Sequence, residues 1–287
     1  MLIVTTIAET RAAVRVIRGE NHTRSVGFVP TMGALHAGHV SLVRAARGQC
    51  DTVVVSIFVN PTQFGPNEDF AKYPRTFAED CALLEREGVD LLFAPSAEEM
   101  YPAGASTFVD VEGVSDRLDG ASRPGHFRGV STVVTKLFHI VTPDKAFFGQ
   151  KDAAQVAVLR KMVRDLHFDL ELVVCPIVRE PDGLAMSSRN RYLSPVERRR
   201  ALVLSKALRR VGELVSENIV ATPALIDGAS AVFAGEPDVR VDYCKIVDPD
   251  TLEDVADVRK GALVAVAAVV GTTRLIDNTV IASLVTM

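Results

Sequence analysis

Two histidines three residues apart, His36 and His39, lie in the run Pro30-Thr31-Met32-Gly33-Ala34-Leu35-His36-Ala37-Gly38-His39. The run follows an apolar stretch at 26–29 and precedes residues 40–47, which have helical spacing, so it reads as a strand-to-helix junction. Unpaired N–H groups and the positive end of a helix dipole make such a junction a place for a phosphate, and two imidazoles add donors that can follow charge onto it. Gly38 removes side-chain bulk and lets a nucleotide approach. A bare H-x-x-H also fits a chance pair or half a zinc site, although no third zinc ligand is apparent.

A second set, Phe148-Gly149-Gln150-Lys151-Asp152-Ala153-Ala154-Gln155, again sits where a strand gives way to a helix. Lys151 can neutralise a phosphate, Asp152 can cap the helix or hold a ribose hydroxyl, and Gln155 follows about one helical turn later on the same face. Singly, such residues more often serve as caps or solvated surface. A third set, Met186-Ser187-Ser188-Arg189-Asn190-Arg191, reads as a mobile polar loop whose hydroxyls and guanidinium suit phosphate oxygens. It also reads as an ordinary loop before a helix capped by Ser194-Pro195. Phe58-Val59-Asn60-Pro61-Thr62-Gln63-Phe64-Gly65, after an apolar strand, combines amides with aromatic rings and fits a small polar organic acid better than a polyanion. Arg123-Pro124-Gly125-His126-Phe127-Arg128-Gly129 suits a lid, a dimer element or a structural role equally well. Arg198-Arg199-Arg200 reads as a solvated helix face.

The chain has no G-x-S-x-G, no cysteine beside a helix-opening histidine, no P-loop and no G-x-G-x-x-G after a strand. Catalysis by positioning and charge stabilisation is therefore preferred to a covalent route.

The elements that must hold these residues alternate. Strands are expected at 26–29, 52–58, 89–93, 146–148 and 170–174, with helices at 40–47, 77–87, 130–141 and 152–166. This is an α/β pattern, a doubly wound parallel sheet whose ligand crevice lies beyond the carboxyl ends of the strands. After Cys175 the pattern changes to a long helix at 195–215 and strands at 239–247 and 263–270. We therefore expect residues 1–177 to form the catalytic domain and 178–287 a smaller C-terminal α+β domain.

In a chain of 287 residues, 48% hydrophobic and 24% charged, neither disorder nor a membrane class is favoured. A net charge of −4 gives no global field for nucleic acid. The four cysteines form no metal-binding spacing and suit buried reduced thiols. The longest uncharged apolar run, 263–270, is too short to span a bilayer, and the first residues lack the apolar stretch of a signal peptide. A cytoplasmic location is expected, with no membrane or nucleic-acid partner.

H-x-G-H followed late in the chain by Met-Ser-Ser-Arg resembles the nucleotidylyltransferase superfamily. More closely, GFVPTMGALHAGHVSLV, SIFVNPTQFGPNEDFAKYPRT, RPGHFRGVSTVVTKLF, AFFGQKDAAQ and SSRNRYLSP resemble, in order, the pantoate–beta-alanine ligase family. The resemblance implies a Rossmann-like nucleotidylyltransferase fold and a two-step reaction. Pantoate would attack the α-phosphorus of ATP to give pantoyl adenylate and pyrophosphate, and the β-alanine amine would then displace AMP. It assigns ATP to Met32, Gly33, Ala34, Leu35, His36, Ala37, Gly38 and His39, to Gly149, Gln150, Lys151 and Asp152, and to Val178, Met186, Ser187, Ser188 and Arg189. The catalytic groups would be His36, His39, Lys151 and Arg189, while Gln63 and Gln155 would hold pantoate. Mg²⁺ would accompany ATP, with Asp80, next to Glu79, as its protein ligand, though Leu83 offers none one turn on. Closure of the small domain as a lid would keep water from the acyl adenylate, and the chain would be a homodimer. A nucleotidylyltransferase that keeps the nucleotide in its product, or a non-catalytic nucleotide-binding module, would share the bare H-x-G-H.

Overall fold

Residues 52–57 read Thr-Val-Val-Val-Ser-Ile, and Val53, Val54 and Val55 are fully buried. A run that is apolar on both faces belongs in the middle of a sheet covered on both sides. In the computed structural model, which describes residues 1–19, 24–66 and 68–284, it is a central strand of a parallel sheet. The strands are β1 (Leu2–Val4), β2 (Val26–Thr31), β3 (Thr52–Ile57), β4 (Leu91–Phe93), β5 (Lys145–Gly149) and β6 (Glu171–Cys175). Their order is β1-β4-β3-β2-β5-β6, and every neighbouring pair is parallel. The direction of winding reverses between β2 and β5, so the segments leaving these two strands flank the switch point.

The connecting helices are α1 (Ile7–Arg18), α2 (Ala37–Arg47), α3 (Phe77–Arg86), the single turns α4 (Ala97–Met100) and α5 (Asp119–Ser122), then α6 (His126–Val141) and α7 (Ala153–Asp165). α1 starts at a capping box in which Thr6 and Glu9 satisfy each other's backbone N–H groups. Both β1 and α1 lie in a stretch to which the sequence reading gave no element. α2 begins three residues before the expected 40, because His36 caps it. α6 begins four residues before the expected 130, after Gly125 in the left-handed region at φ 82°.

Two compact units divide the chain. The first comprises Met1–Gly149 and Val158–Pro176, and the second comprises Gln150–Ala157 and the chain from Ile177 onward. Residues 150–157, which the sequence reading put with the parallel sheet, thus belong with the C-terminal elements. The reason is local: the Asn278 side-chain amide binds the carbonyls of Gln150 and Lys151.

In the second unit, α8 (Pro195–Ser216) opens with Pro195 and a Ser194–Glu197 capping box, and α9 (Thr222–Ala234) follows. Three antiparallel strands, β7 (Val239–Val247), β8 (Ala262–Val270) and β9 (Thr273–Ile281), form a sheet in that order. Leu204, Leu208 and Val211 of α8 and Leu225 of α9 share one apolar core with Val264, Val266 and Ala268 of β8. Pairing of Val270 with Thr273 leaves Gly271-Thr272 as a two-residue turn, with Gly271 at φ 59°. Among the described residues no helix is long and apolar enough to cross a membrane.

Candidate active site

β2 delivers its chain to a helix start built from imidazoles. His36 is the N-cap of α2, and its Nδ1 accepts the Gly38 N–H at 3.2 Å. His39 Nδ1 in turn accepts the His36 N–H at 3.3 Å, closing a capping box in which a histidine replaces the usual hydroxyl and another the usual carboxylate. Because each Nδ1 accepts, each neutral ring carries its proton on Nε2. The rings lie 4.1 Å apart between centroids and are tilted by 38°. The sequence reading expected first-turn N–H groups to meet a phosphate directly. Two of those donors are instead occupied by the rings themselves. Gly38 also has a local reason: a Cβ there would lie 2.9 Å from the His36 ring, so glycine makes room for the cap.

Between β2 and α2 the loop is fixed by Asp80 of α3. Asp80 is only 3% exposed, and its two oxygens accept the N–H groups of Ala34 at 2.9 Å and Leu35 at 2.8 Å. Thr76 Oγ1 adds a third bond at 3.1 Å. Gly33 at φ 80° and Ala34 at φ 51° make the turn, and Thr31 Oγ1 accepts the Gly33 N–H. The expected metal ligand Asp80 is thus engaged by backbone amides in a buried place, which suits a loop anchor and does not suit Mg²⁺. Among the described residues no group of three or more His, Cys, Asp or Glu could hold a metal ion.

The amide-rich segment after β3 comes close to this loop. Asn60, 1% exposed, donates from Nδ2 to Gln63 Oε1 at 3.0 Å and to Gly129 O at 3.1 Å, while its Oδ1 accepts from Thr62. With Oε1 taken, Gln63 presents its amino group, which donates to the thioether of Met32 at 3.2 Å. A thioether is a weak acceptor, so that amino group is available to a carboxylate or hydroxyl. Met32 and Gln63, assigned by resemblance to different substrates, are neighbours.

The 123–129 segment, whose role the sequence left open, buttresses Gln63. Arg123 forms a bidentate pair with Glu68, both contacts at 2.6 Å, and donates to Gln63 O at 3.3 Å and to His126 Nε2 at 3.0 Å. His126 must then carry its proton on Nδ1, which donates to Gln63 O at 2.8 Å. Gly129 lets α6 approach, since a Cβ there would fall 2.3 Å from Thr62 O and 2.7 Å from Gln63 Cα.

Burial, with the Arg123 guanidinium beside it, holds the His126 imidazole down at about 4. Its folded value lies below the unfolded one, so between the two the unfolded chain binds the extra proton and acidification favours unfolding. Stability is expected to fall by up to about 3 kcal/mol as pH drops from about 6.5 to 4. Urea titrations across that range should show the loss, and the non-titrating His126→Gln variant should lack that part of it.

Gly149 ends β5 in the first unit, and the remaining predicted residues belong to the second. Gln150, Lys151 and Asp152 form a 3-10 turn just before α7, with Lys151 Nζ 3.3 Å from Asp152 Oδ1. Gln155 is half-buried in the first turn of α7. Val178 O accepts the Met186 N–H at 2.9 Å, and Arg179 and Ala185 pair as a short antiparallel bridge across the Pro181-Asp182-Gly183 turn. The segment expected to be a mobile loop is instead a 3-10 helix, Ser188–Tyr192, capped by Ser187 Oγ accepting from the Arg189 N–H. Asn190 anchors it by donating to Glu180 Oε1 at 2.7 Å and Ala185 O at 3.0 Å.

A doubly wound parallel sheet with paired imidazoles opening the helix after β2, and an oriented amide against Met32 of the same loop, is the framework of an α/β enzyme. Comparison settles which one: the model of the pantoate-beta-alanine ligase family matches residues 2–280, and the chain belongs to that family. It is 68% identical over 284 residues to the pantothenate synthetase of Acidobacterium capsulatum, covering 95% of this chain and 94% of that one. The crystal structure of pantothenate synthetase from Thermus thermophilus has a TM-score of 0.92 at 49% identity, covering 97% of this chain and 99% of that chain. That of the Francisella tularensis pantoate-beta-alanine ligase, complexed with beta-gamma ATP and beta-alanine, has a TM-score of 0.79 at 33% identity, with 97% coverage of both. The doubly wound fold with a smaller α+β unit, expected from the sequence, agrees with these structures.

Proposed function

We propose that this chain joins pantoate to β-alanine at the expense of ATP. The pantoate carboxylate attacks the α-phosphorus and expels pyrophosphate, and the β-alanine amine then displaces AMP from pantoyl adenylate. Membership of the ligase family supports the overall reaction. The observation that carries the site reading is the Gln63 amide, turned by Asn60 so that its amino group has only the weakly accepting Met32 thioether against it in the recorded contacts. An amino group so oriented binds a carboxylate or hydroxyl of pantoate and leaves the attacking oxygen to phosphorus.

The Nε2–H groups of His36 and His39, with Lys151 and Arg189, are read as the donors that meet charge developing on the leaving pyrophosphate. Gly149, Gln150, Asp152, Val178, Met186, Ser187 and Ser188 complete the proposed nucleotide contacts, and Gln155 is the second pantoate residue. Mg²⁺ is read as the counter-ion of the nucleotide, because it commonly keeps its waters and takes most of its other ligands from phosphates. With Asp80 engaged by the backbone, no residue is assigned to it. The four free cysteines support a reducing cytoplasm. The homodimer is a further part of the reading, to be checked by sedimentation equilibrium.

Supplied with ATP, pantoate and β-alanine, the purified protein should form AMP and pantothenate in equal amounts. A folded protein that makes neither sinks the reading, and an adenylylated product that persists with β-alanine present points to nucleotidyl transfer instead. Gln155→Ala should raise the pantoate KM by about tenfold, the worth of one or two hydrogen bonds, and leave the ATP KM nearly unchanged. The opposite pattern in the two titrations would remove Gln155 from the pantoate site.

A further inference from the structure

Asn278 and Asp277 are adjacent on β9, both 3% exposed, and alternation along a strand turns their side chains to opposite faces. Buried amides and carboxylates disfavour folding unless their hydrogen bonds are made. Here they are made to particular places. Asn278 Nδ2 donates to the carbonyls of both Gln150 and Lys151 at 2.9 Å, and its Oδ1 accepts from Gln150 Nε2 at 3.0 Å. Both donors and the acceptor are engaged, so the amide has one workable orientation. Asp277 accepts the Asn278 N–H at 2.8 Å and holds Arg179 through two bonds of 2.7 and 3.0 Å. Arg179 follows Val178 and also donates to Gly183 O at 3.1 Å, inside the turn that leads to Met186 and Arg189.

We infer that Asn278 is a positioning residue for Lys151, clamping the backbone of the Gln150–Asp152 turn from β9, with Asp277 bracing the second loop through Arg179. The inference rests on the reading that Lys151 serves the phosphates of ATP. A 3-10 turn has poorer hydrogen-bond geometry than an α-helix and is used in short pieces. Two carbonyl anchors from a neighbouring strand fix where the Lys151 side chain leaves the backbone. The chain thus acquires a rigid origin for a long, flexible ammonium arm.

The test uses Asn278→Ser and Asn278→Asp in the full-length protein, each alone and combined with Lys151→Ala. Asn278→Asp preserves shape but turns two donors into a carboxylate facing two carbonyl oxygens. Asn278→Ser is shorter and introduces no charge, so it keeps the question open if the aspartate variant does not fold. Pantoate-dependent pyrophosphate release is measured with the active fraction counted by single-turnover burst.

Asn278→Ser is expected to lower kcat about tenfold or more, as misplacing a reacting group does, with the pantoate KM little changed. Combined with Lys151→Ala, it should be no slower than Lys151→Ala alone, because the amide acts through the lysine. A wild-type rate in folded Asn278→Ser overturns the inference. So do losses that multiply in the double variant, the signature of an independent structural role. A wild-type rate in Lys151→Ala overturns the reading of the lysine and the inference with it, whereas a slow Lys151→Ala with an independent Asn278 overturns the inference alone.

Discussion

Exchanging His39 for asparagine is expected to leave the protein about as stable as the wild type and to slow pantoate-dependent pyrophosphate release about a hundredfold. The asparagine Oδ1 falls where the imidazole Nδ1 now accepts the His36 N–H, so the capping box survives. What disappears is the Nε2–H beyond it. His39→Ala loses both, and adds a capping loss of about 1 kcal/mol to the same loss of rate. Thermal melts and single-turnover adenylation of the two variants therefore separate the structural from the chemical share of one ring. A His39→Asn enzyme with the wild-type rate would reduce the histidine to a cap.

Asp80→Ala is expected to remove about 3 kcal/mol of stability or more. It leaves two buried N–H groups, those of Ala34 and Leu35, without their acceptor. The loop they belong to ends at His36, so the surviving folded enzyme should also be slow. Urea unfolding measures the first effect. The Mg²⁺ dependence of the residual activity distinguishes a loop anchor, which leaves it unchanged, from a metal ligand, which raises the requirement. A stable variant with a raised Mg²⁺ requirement would restore the metal role.

The parallel sheet was legible in the sequence because its strands are runs of valine and phenylalanine bounded by helical periods. That is the pattern a strand buried on both faces must have. β9 was not legible: Thr-Arg-Leu-Ile-Asp-Asn-Thr-Val-Ile breaks its alternation at Asp277-Asn278, where both faces are buried by polar contacts. The same two residues tie β9 to the Gln150–Asp152 turn and to Arg179. Asp80 shows a related limit. In the sequence it is an acid in the first turn of a helix, satisfied by the dipole alone, and its partners lie 45 and 46 residues away. Only the folded chain distinguishes an anchor from a ligand. The His36–His39 spacing was read correctly as a helix start, but the tautomers could not be read, since they follow from hydrogen bonds that exist only once the turn has closed. Nor could the 123–129 segment be assigned. Its arginine and histidine converge on one carbonyl, that of Gln63, from 60 and 63 residues further along.

The bonds from Asn278 to Gln150 and Lys151 span 128 and 127 residues. Contacts of such separation form late, after the local helices and hairpins that make them possible. During translation Lys151 is therefore synthesised long before the amide that anchors it. On the reading that Lys151 serves the phosphates of ATP, a nascent chain stopped before residue 278 lacks the clamp on that lysine, and its carboxylate activation is expected to stay absent until β9 has paired with β8.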